Sequence, residues 1–142
     1  MNSTANALAA IETLIAAQPA AFVASVDADG YPNLKAMLSP RKRDGLKIFY
    51  FTTNTSSQRV AQYRQNPKAA IYFCDQPNFR AVMFRGCMEV CEDPATKQLI
   101  WREGDTLYYP QGVTDPDYCV LKFTAATART YANFKSETIT IE

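Results

Sequence analysis

Ile48-Phe49-Tyr50-Phe51-Thr52-Thr53-Asn54-Thr55-Ser56-Ser57-Gln58-Arg59 reads as a strand that turns into a helix, and the rest of the chain is organised around that corner. Ile48 to Phe51 is β-branched and aromatic, the composition that suits a pleated, half-buried strand. Five hydroxyl or amide side chains follow, Thr52 to Ser56. Thr55 and Gln58 have the spacing of a capping box, which predicts a helix starting just after Thr55. A strand that delivers hydroxyls and an arginine to an open helix N-terminus suits a phosphate, because free N–H groups and a positive dipole end face it. Ser and Thr are also the ordinary cap residues, so on its own the stretch is first of all a capped helix.

Upstream of the corner, Arg41-Lys42-Arg43-Asp44-Gly45 reads as a solvated turn, because the chain is otherwise electrically balanced. Before it, Tyr31 to Ser39 predicts a strand with Leu34, Ala36 and Leu38 on one face and Lys35, Met37 and Ser39 on the other. Pro32 marks an edge or a strand start. Ala28-Asp29-Gly30 supplies a hairpin turn that joins it to a strand from Ala21 to Asp27. Leu8, Ile11, Leu14 and Ile15 predict an amphipathic helix over 4–17, lying across an opening of the fold and ending before Pro19.

Downstream, the helix turns Val60 and Tyr63 inward and stops at Asn66-Pro67. Lys68 to Cys74 is a strand closed by Asp75-Gln76-Pro77-Asn78. Phe79 to Cys91 is the longest strand, with Val82, Phe84, Met88 and Val90 on one face and Arg85 on the polar one. Its interior Gly86 marks the sharp bend that a barrel needs. Asp93 as N-cap and Pro94 at the first helical position predict a helix over 94–103. The loop-rich link carries Tyr108-Tyr109-Pro110-Gln111-Gly112 and Thr114-Asp115-Pro116-Asp117, the latter ordinary turn chemistry. Tyr118 to Thr124 and Arg129 to Phe134 follow as two strands, with a short tail over Thr138 to Ile141. Six or seven short strands with hairpin turns predict a mainly β, antiparallel barrel with a few short helices, built as one domain over 1–142.

Composition narrows the chemistry. With 47% apolar and 20% charged residues in 142, the chain is an ordinary globular domain. A net charge of +1 gives no electrostatic reason to expect nucleic acid or an anionic membrane as partner. No apolar run approaches the ~20 residues of a membrane span, and no basic-then-apolar leader opens the chain, so a cytoplasmic location is expected. Cys74, Cys87, Cys91 and Cys119 fall in strand segments and are expected to be reduced core thiols. Cys87 and Cys91 would stand about 13 Å apart on one strand face, too far to bridge, and no zinc spacing occurs. The chain has no histidine. That removes serine–histidine and cysteine–histidine nucleophiles and histidine-ligated zinc or haem.

The order of these pieces resembles the pyridoxamine 5′-phosphate oxidase-like superfamily of FMN-binding split β-barrels, and most of all its short branch related to general stress protein 26. The resemblance runs roughly from residue 8 to 134. It is carried by the N-terminal helix, the Phe22–Asp27/Pro32–Leu38 hairpin, the corner Phe51–Arg59, Asn66-Pro67, Arg85-Gly86 and Trp101. Tyr109-Pro110-Gln111-Gly112-Val113 with Asp115-Pro116-Asp117-Tyr118 completes it. It implies a six- to seven-stranded antiparallel split barrel with Greek-key character that holds FMN at a homodimer interface. The flavin-binding positions it implies are Lys35, Ala36, Met37 and Leu38 on the second strand, and Thr52, Thr53, Ser57, Gln58 and Arg59 at the corner. Hydroxyls suit ribityl and phosphate oxygens, and a cation suits the phosphate.

Three departures qualify the resemblance. Gln58-Arg59 stands where the family's oxidases often carry Arg-Lys, which leaves one fewer cation. Ala81 stands where they carry a flavin-contacting glutamine. The C-terminal tryptophan and arginine-rich segment that binds pyridoxal is missing. True pyridoxamine phosphate oxidation is therefore not expected, and the lack of histidine disfavours haem-degrading relatives. The expectation is an FMN-dependent oxidoreductase acting on a small molecule not identified by the sequence, with no catalytic side chain singled out. The isoalloxazine itself carries hydride and electrons. The alternatives are a non-catalytic flavin carrier or redox sensor, and a barrel that takes the deazaflavin F420. Trp101, Tyr108 and Tyr109 could stack on a ligand, although aromatics at such a junction more often pack.

Overall fold

In a computed structural model that describes residues 3–142, the chain folds as α1 (Ser3–Ala16), β1 (Ala20–Val26), β2 (Pro32–Leu38), β3 (Lys42–Asp44), β4 (Ile48–Asn54) and α2 (Gln58–Gln65). Then come β5 (Lys68–Asp75), β6 (Arg80–Cys91), α3 (Pro94–Ile100), β7 (Tyr118–Ala132) and β8 (Lys135–Thr140). Two 3-10 turns, Asp105–Leu107 and Gly112–Thr114, shape the link from α3 to β7. All eight strands join one antiparallel sheet in the order β2-β1-β5-β6-β7-β4-β3, with β8 added to β7. Among the described residues β2 and β3 end this path without pairing to each other, so the barrel is split there. No helix among those residues is long and apolar enough to cross a membrane.

The aromatic alternation of β4 explains its place. Phe49 and Phe51 point into the main core, where Phe49 meets Phe84, Phe73 and Phe123 at centroid distances of 5.0, 6.1 and 6.1 Å. Burying each such ring contributes about 2–3 kcal/mol. Tyr50 faces the other way, into a second cluster with Ile100, Tyr109 and Tyr118. Both faces of β4 are thus covered, and its end sits where the two clusters meet. Helix α1 lays Ile11 and Ile15 into the main core, and α2 adds Val60 and Tyr63. Burial pushes the Tyr63 phenol up to about 12, and its hydroxyl donates to the Ala24 carbonyl at 3.0 Å.

Five expectations are corrected. Tyr118 to Ala132 is one strand of 15 residues rather than two, because β7 changes partners midway. Its first half pairs β4 through Ile48↔Thr124, and its second half pairs β8 from Thr127↔Thr140 onward. The extra residue that makes the transition is Ala126, opposite the register shift at Arg85/Gly86 of β6. The expected tail is accordingly the strand β8, which brings the count to eight. Residues 42–44 form the short strand β3 on β4 instead of a turn. Cys91 and Cys119 are buried as expected, but Cys87 is exposed on the outer face of β6. The helix after Asp93 ends at Ile100, three residues early, with Trp101 as its C-cap.

Candidate functional site

The capping box is not formed. Helix α2 starts at Gln58, and Ser57 is its N-cap, accepting the Val60 N–H at 3.4 Å. Thr55 is instead part of a turn held from outside. Its N–H donates to the Asp117 carbonyl at 2.9 Å, while the Asp117 carboxylate accepts from the Ser56 N–H at 2.8 Å and the Asn54 amide at 2.9 Å. These bonds hold the Asp117 carboxyl below the usual carboxylate range, with the Asn54 amide the largest cause. The Asp-Pro-Asp turn therefore fixes the corner from a distance in sequence. Gln58 is exposed and outside the cleft, so the two roles foreseen for it do not compete.

Thr52 and Thr53 lie on opposite faces of the strand end, and each meets a different partner. The Thr53 hydroxyl accepts from Arg59 Nη2 at 3.0 Å. Arg59 Nε is buried with no hydrogen-bond partner. Such an orphaned donor is costly, about 1–3 kcal/mol. On the other face, the Thr52 side chain lies beside the Tyr109 hydroxyl. Tyr109 is held between Tyr118 and Trp101, with ring centroids at 4.8 and 6.2 Å. Burial raises the phenols of Tyr109 and Tyr118 above their ordinary value.

Between these residues and the edge strand β2 lies a cleft of about 190 Å³. Ala36, Met37 and Leu38 form one wall, and Thr52, Thr53 and Arg59 the inner end. Six of the nine positions implied by the resemblance are thus brought together. Lys35 is exposed and outside the lining, and Ser57 and Gln58 lie beyond it at the helix start. Ser39, Arg41, Asn54, Tyr108 and Tyr109 complete the lining, and the sequence pattern does not place Ser39, Arg41 or Asn54 there.

Arg41 corrects the reading of residues 41–43 as a solvated basic turn. Its Nη1 and Nη2 donate to both Asp105 carboxylate oxygens at 2.9 and 2.7 Å, and Nη1 also reaches the Ile100 carbonyl at 3.0 Å. Side-chain exposure is 12% for Arg41 and 6% for Asp105, so this fork is largely withdrawn from water. Asp105 lies 64 positions away, which is why no local pattern revealed the pair. Two arginines therefore face the cleft in different states. Arg41 is neutralised, whereas Arg59 has no carboxylate partner within ion-pair distance among the described residues.

The pair gives a pH prediction. Arg41 holds the Asp105 carboxyl below its usual value. A depressed folded value means the stabilisation is complete above the unfolded carboxylate value of about 4 and is lost as pH falls through the folded one. Asp105→Ala should cost about 2 kcal/mol at neutral pH, discounted from the figure for fully buried pairs. Thermal melts from pH 7 to 2.5 should show the gap from wild type narrowing only below about pH 4. A gap that stays constant to pH 2.5 would show that the ion pair is not its source.

A split β-barrel with an edge-strand cleft closed by a hydroxyl-rich strand–helix corner defines the structural class. The chain belongs to the pyridoxamine 5′-phosphate oxidase family, whose family model matches residues 7–132. It is similar to a Clostridium acetobutylicum protein related to general stress protein 26 of Bacillus subtilis, of the pyridoxinephosphate oxidase family. That match has 38% identity and a TM-score of 0.87, covering 96% of this chain and 95% of that one. General stress protein 26 from Bacillus anthracis shares the fold at 18% identity and a TM-score of 0.78, covering 96% of this chain and 99% of that one. A heme-binding protein from Mycobacterium smegmatis shares it at 14% identity and a TM-score of 0.75, over 99% of this chain and 59% of that one. No curated protein matches the sequence.

Proposed function

We propose that the chain binds FMN in this cleft and serves as a flavin-dependent oxidoreductase for a small molecule, working in the cytoplasm as a homodimer. The observation that carries the reading is Arg59 in the cleft lining beside Thr53, with no carboxylate partner among the described residues, a cation and a hydroxyl that suit a phosphate. The apolar β2 wall fits the ring end, where backbone groups of Ala36 to Leu38 can meet flavin polar edges. The bound flavin would supply hydride and electron transfer, and the chain's part is to bind, orient and exclude water. The one cation and the lack of histidine speak against histidine-ligated haem in this chain, whatever its fold relatives hold.

The homodimer is supported by size and by surface. A cleft of 190 Å³ is below the range of about 300–1,000 Å³ usual for ligand pockets, and a second chain seated against it would enlarge it. The outer face next to it is apolar and uncovered. Strand register places Ala36, Phe22, Tyr72 and Met83 in one row across β2, β1, β5 and β6. Leu34 and Leu38, at 76% and 68% exposure, flank that row on β2. A contiguous apolar patch that reaches the cleft edge suits a second copy.

The test is a titration of flavin-free protein with FMN and with riboflavin. FMN should bind at least tenfold more tightly, since only it carries the phosphate. Equal affinities would remove the phosphate role of the corner.

A further inference from the structure

Two adjacent tyrosines follow the 3-10 turn Asp105–Leu107 and have opposite environments. Tyr109 is 4% exposed and belongs to the second core cluster. Tyr108 is 57% exposed, its ring 6.4 Å from that of Tyr109, and it lines the cleft with Ala36, Met37 and Leu38 of β2. A single residue step therefore carries the chain from a packed aromatic anchor to an aromatic wall. The cleft lining combines apolar Ala36 and Leu38, the exposed ring of Tyr108, and polar groups that include the Thr53–Arg59 pair and the Asp105-bound Arg41.

The turn is held by one residue. The Asp105 carbonyl accepts the N–H groups of both Tyr108 and Tyr109 at 2.9 Å. Its carboxylate takes the Arg41 fork and the Arg102 N–H at 2.8 Å, while Arg102 Nη2 donates back to the Arg41 carbonyl at 3.1 Å. Arg41 is tied in turn to β4 through its N–H and the Tyr50 carbonyl at 2.8 Å. The turn that bears Tyr108 is thereby fixed to the strand that bears Thr52 and Thr53.

We propose that Tyr108 is the ring-binding wall of this cleft, stacking on a planar ring, and that the Arg41–Asp105 pair is the positioning element that sets it there. This rests on the flavin reading above, and it assigns the ring end of the ligand to Tyr108 as the phosphate end is assigned to Arg59. Stacking on an aromatic side chain is tolerant of ring identity but demands a π-face. The contact is common to FMN and riboflavin, so its loss weakens both alike, unlike the loss of Arg59.

The experiment titrates flavin-free wild type, Tyr108→Ala, Tyr108→Phe and Asp105→Asn with FMN and riboflavin, reading affinity and the fluorescence of the bound flavin. A phenol against the ring quenches flavin emission by electron transfer, and a phenyl ring does not. Tyr108→Ala should weaken FMN and riboflavin by the same threefold to tenfold and raise bound-flavin emission severalfold. Tyr108→Phe should keep the affinity and raise the emission. Asp105→Asn should raise the emission with Tyr108 intact, a signature that mere loss of stability does not give. Unchanged affinity and emission in Tyr108→Ala, with wild type binding flavin, would overturn the wall and leave the flavin reading standing. An Asp105→Asn protein with wild-type emission would overturn the positioning role. A wild type that binds neither flavin would overturn both readings together.

Discussion

Arg59→Ala should weaken FMN binding by about a hundredfold while changing riboflavin binding by less than about threefold. The size follows from a charge-assisted bond to phosphate, about 1.5–3 kcal/mol, with each 1.4 kcal/mol equal to a factor of ten. The asymmetry follows from the site. Arg41, the other guanidinium lining the cleft, is held by Asp105 on both carboxylate oxygens and has no charge to offer. The Arg59 bond to Thr53 is lost in either titration, so riboflavin reports that structural cost and FMN reports it plus the phosphate. Arg59→Lys should fall between wild type and alanine, because an ammonium keeps the charge but not the fork. Equal losses for the two ligands would show that Arg59 supports the corner without touching a phosphate.

How far the site could be read in advance depends on the range of the interactions that make it. Thr52, Thr53 and Arg59 sit on a strand and a helix signalled by local pattern, and Ala36 to Leu38 sit on an alternating strand; the structure places all six around one cleft. Arg41 is hidden in the sequence because its partner Asp105 lies 64 positions along the chain, and a basic triplet has the pattern of a solvated turn. The helix start is obscured for a related reason. Thr55 has the right spacing for a cap, but its N–H is engaged by the Asp117 carbonyl, and the cap falls two residues later on Ser57. Tyr108 and Tyr109 are alike in sequence, and only the packing of Trp101 and Tyr118 against one of them separates anchor from wall.

The fold was clearer than the site because hydrophobic alternation and hairpin turns are local signals. It was lost at one place, the middle of β7. Ala125-Ala126-Thr127-Ala128 has no large apolar residue to mark a strand, so the sequence pattern breaks there. In the sheet those small residues are what the geometry requires. There β7 leaves β4 for β8: the Ala125 N–H donates to the Lys47 carbonyl at 2.8 Å, and the Ala126 carbonyl accepts from the Ile141 N–H at 2.9 Å. One residue more on β7 than on β6 lets both sets of bonds form.

The second large effect concerns the residue facing that bulge. Gly86→Ala should destabilise the protein by more than about 3 kcal/mol, lowering the melting temperature by roughly 10 °C for a chain of this size. A Cβ on Gly86 would run into the Thr124 carbonyl and stand 3.0 Å from the Ala125 Cα, all backbone atoms of the paired strand. No side chain can swing aside to make room. Relief requires the central strands β6 and β7 to separate, and β7 is the strand on which β4, and with it Thr52 and Thr53, is hung through Thr52↔Val120 and Thr53↔Cys119. The glycines at turns behave differently: Gly30, with φ of +85° in the first hairpin, has open space around its Cβ position, so Gly30→Ala meets only backbone strain and should cost about 1 kcal/mol. Melts of the two variants side by side separate steric exclusion from lost flexibility. A Gly86→Ala protein melting within about 3 °C of wild type would mean that β6 and β7 do not approach as closely as their pairing requires.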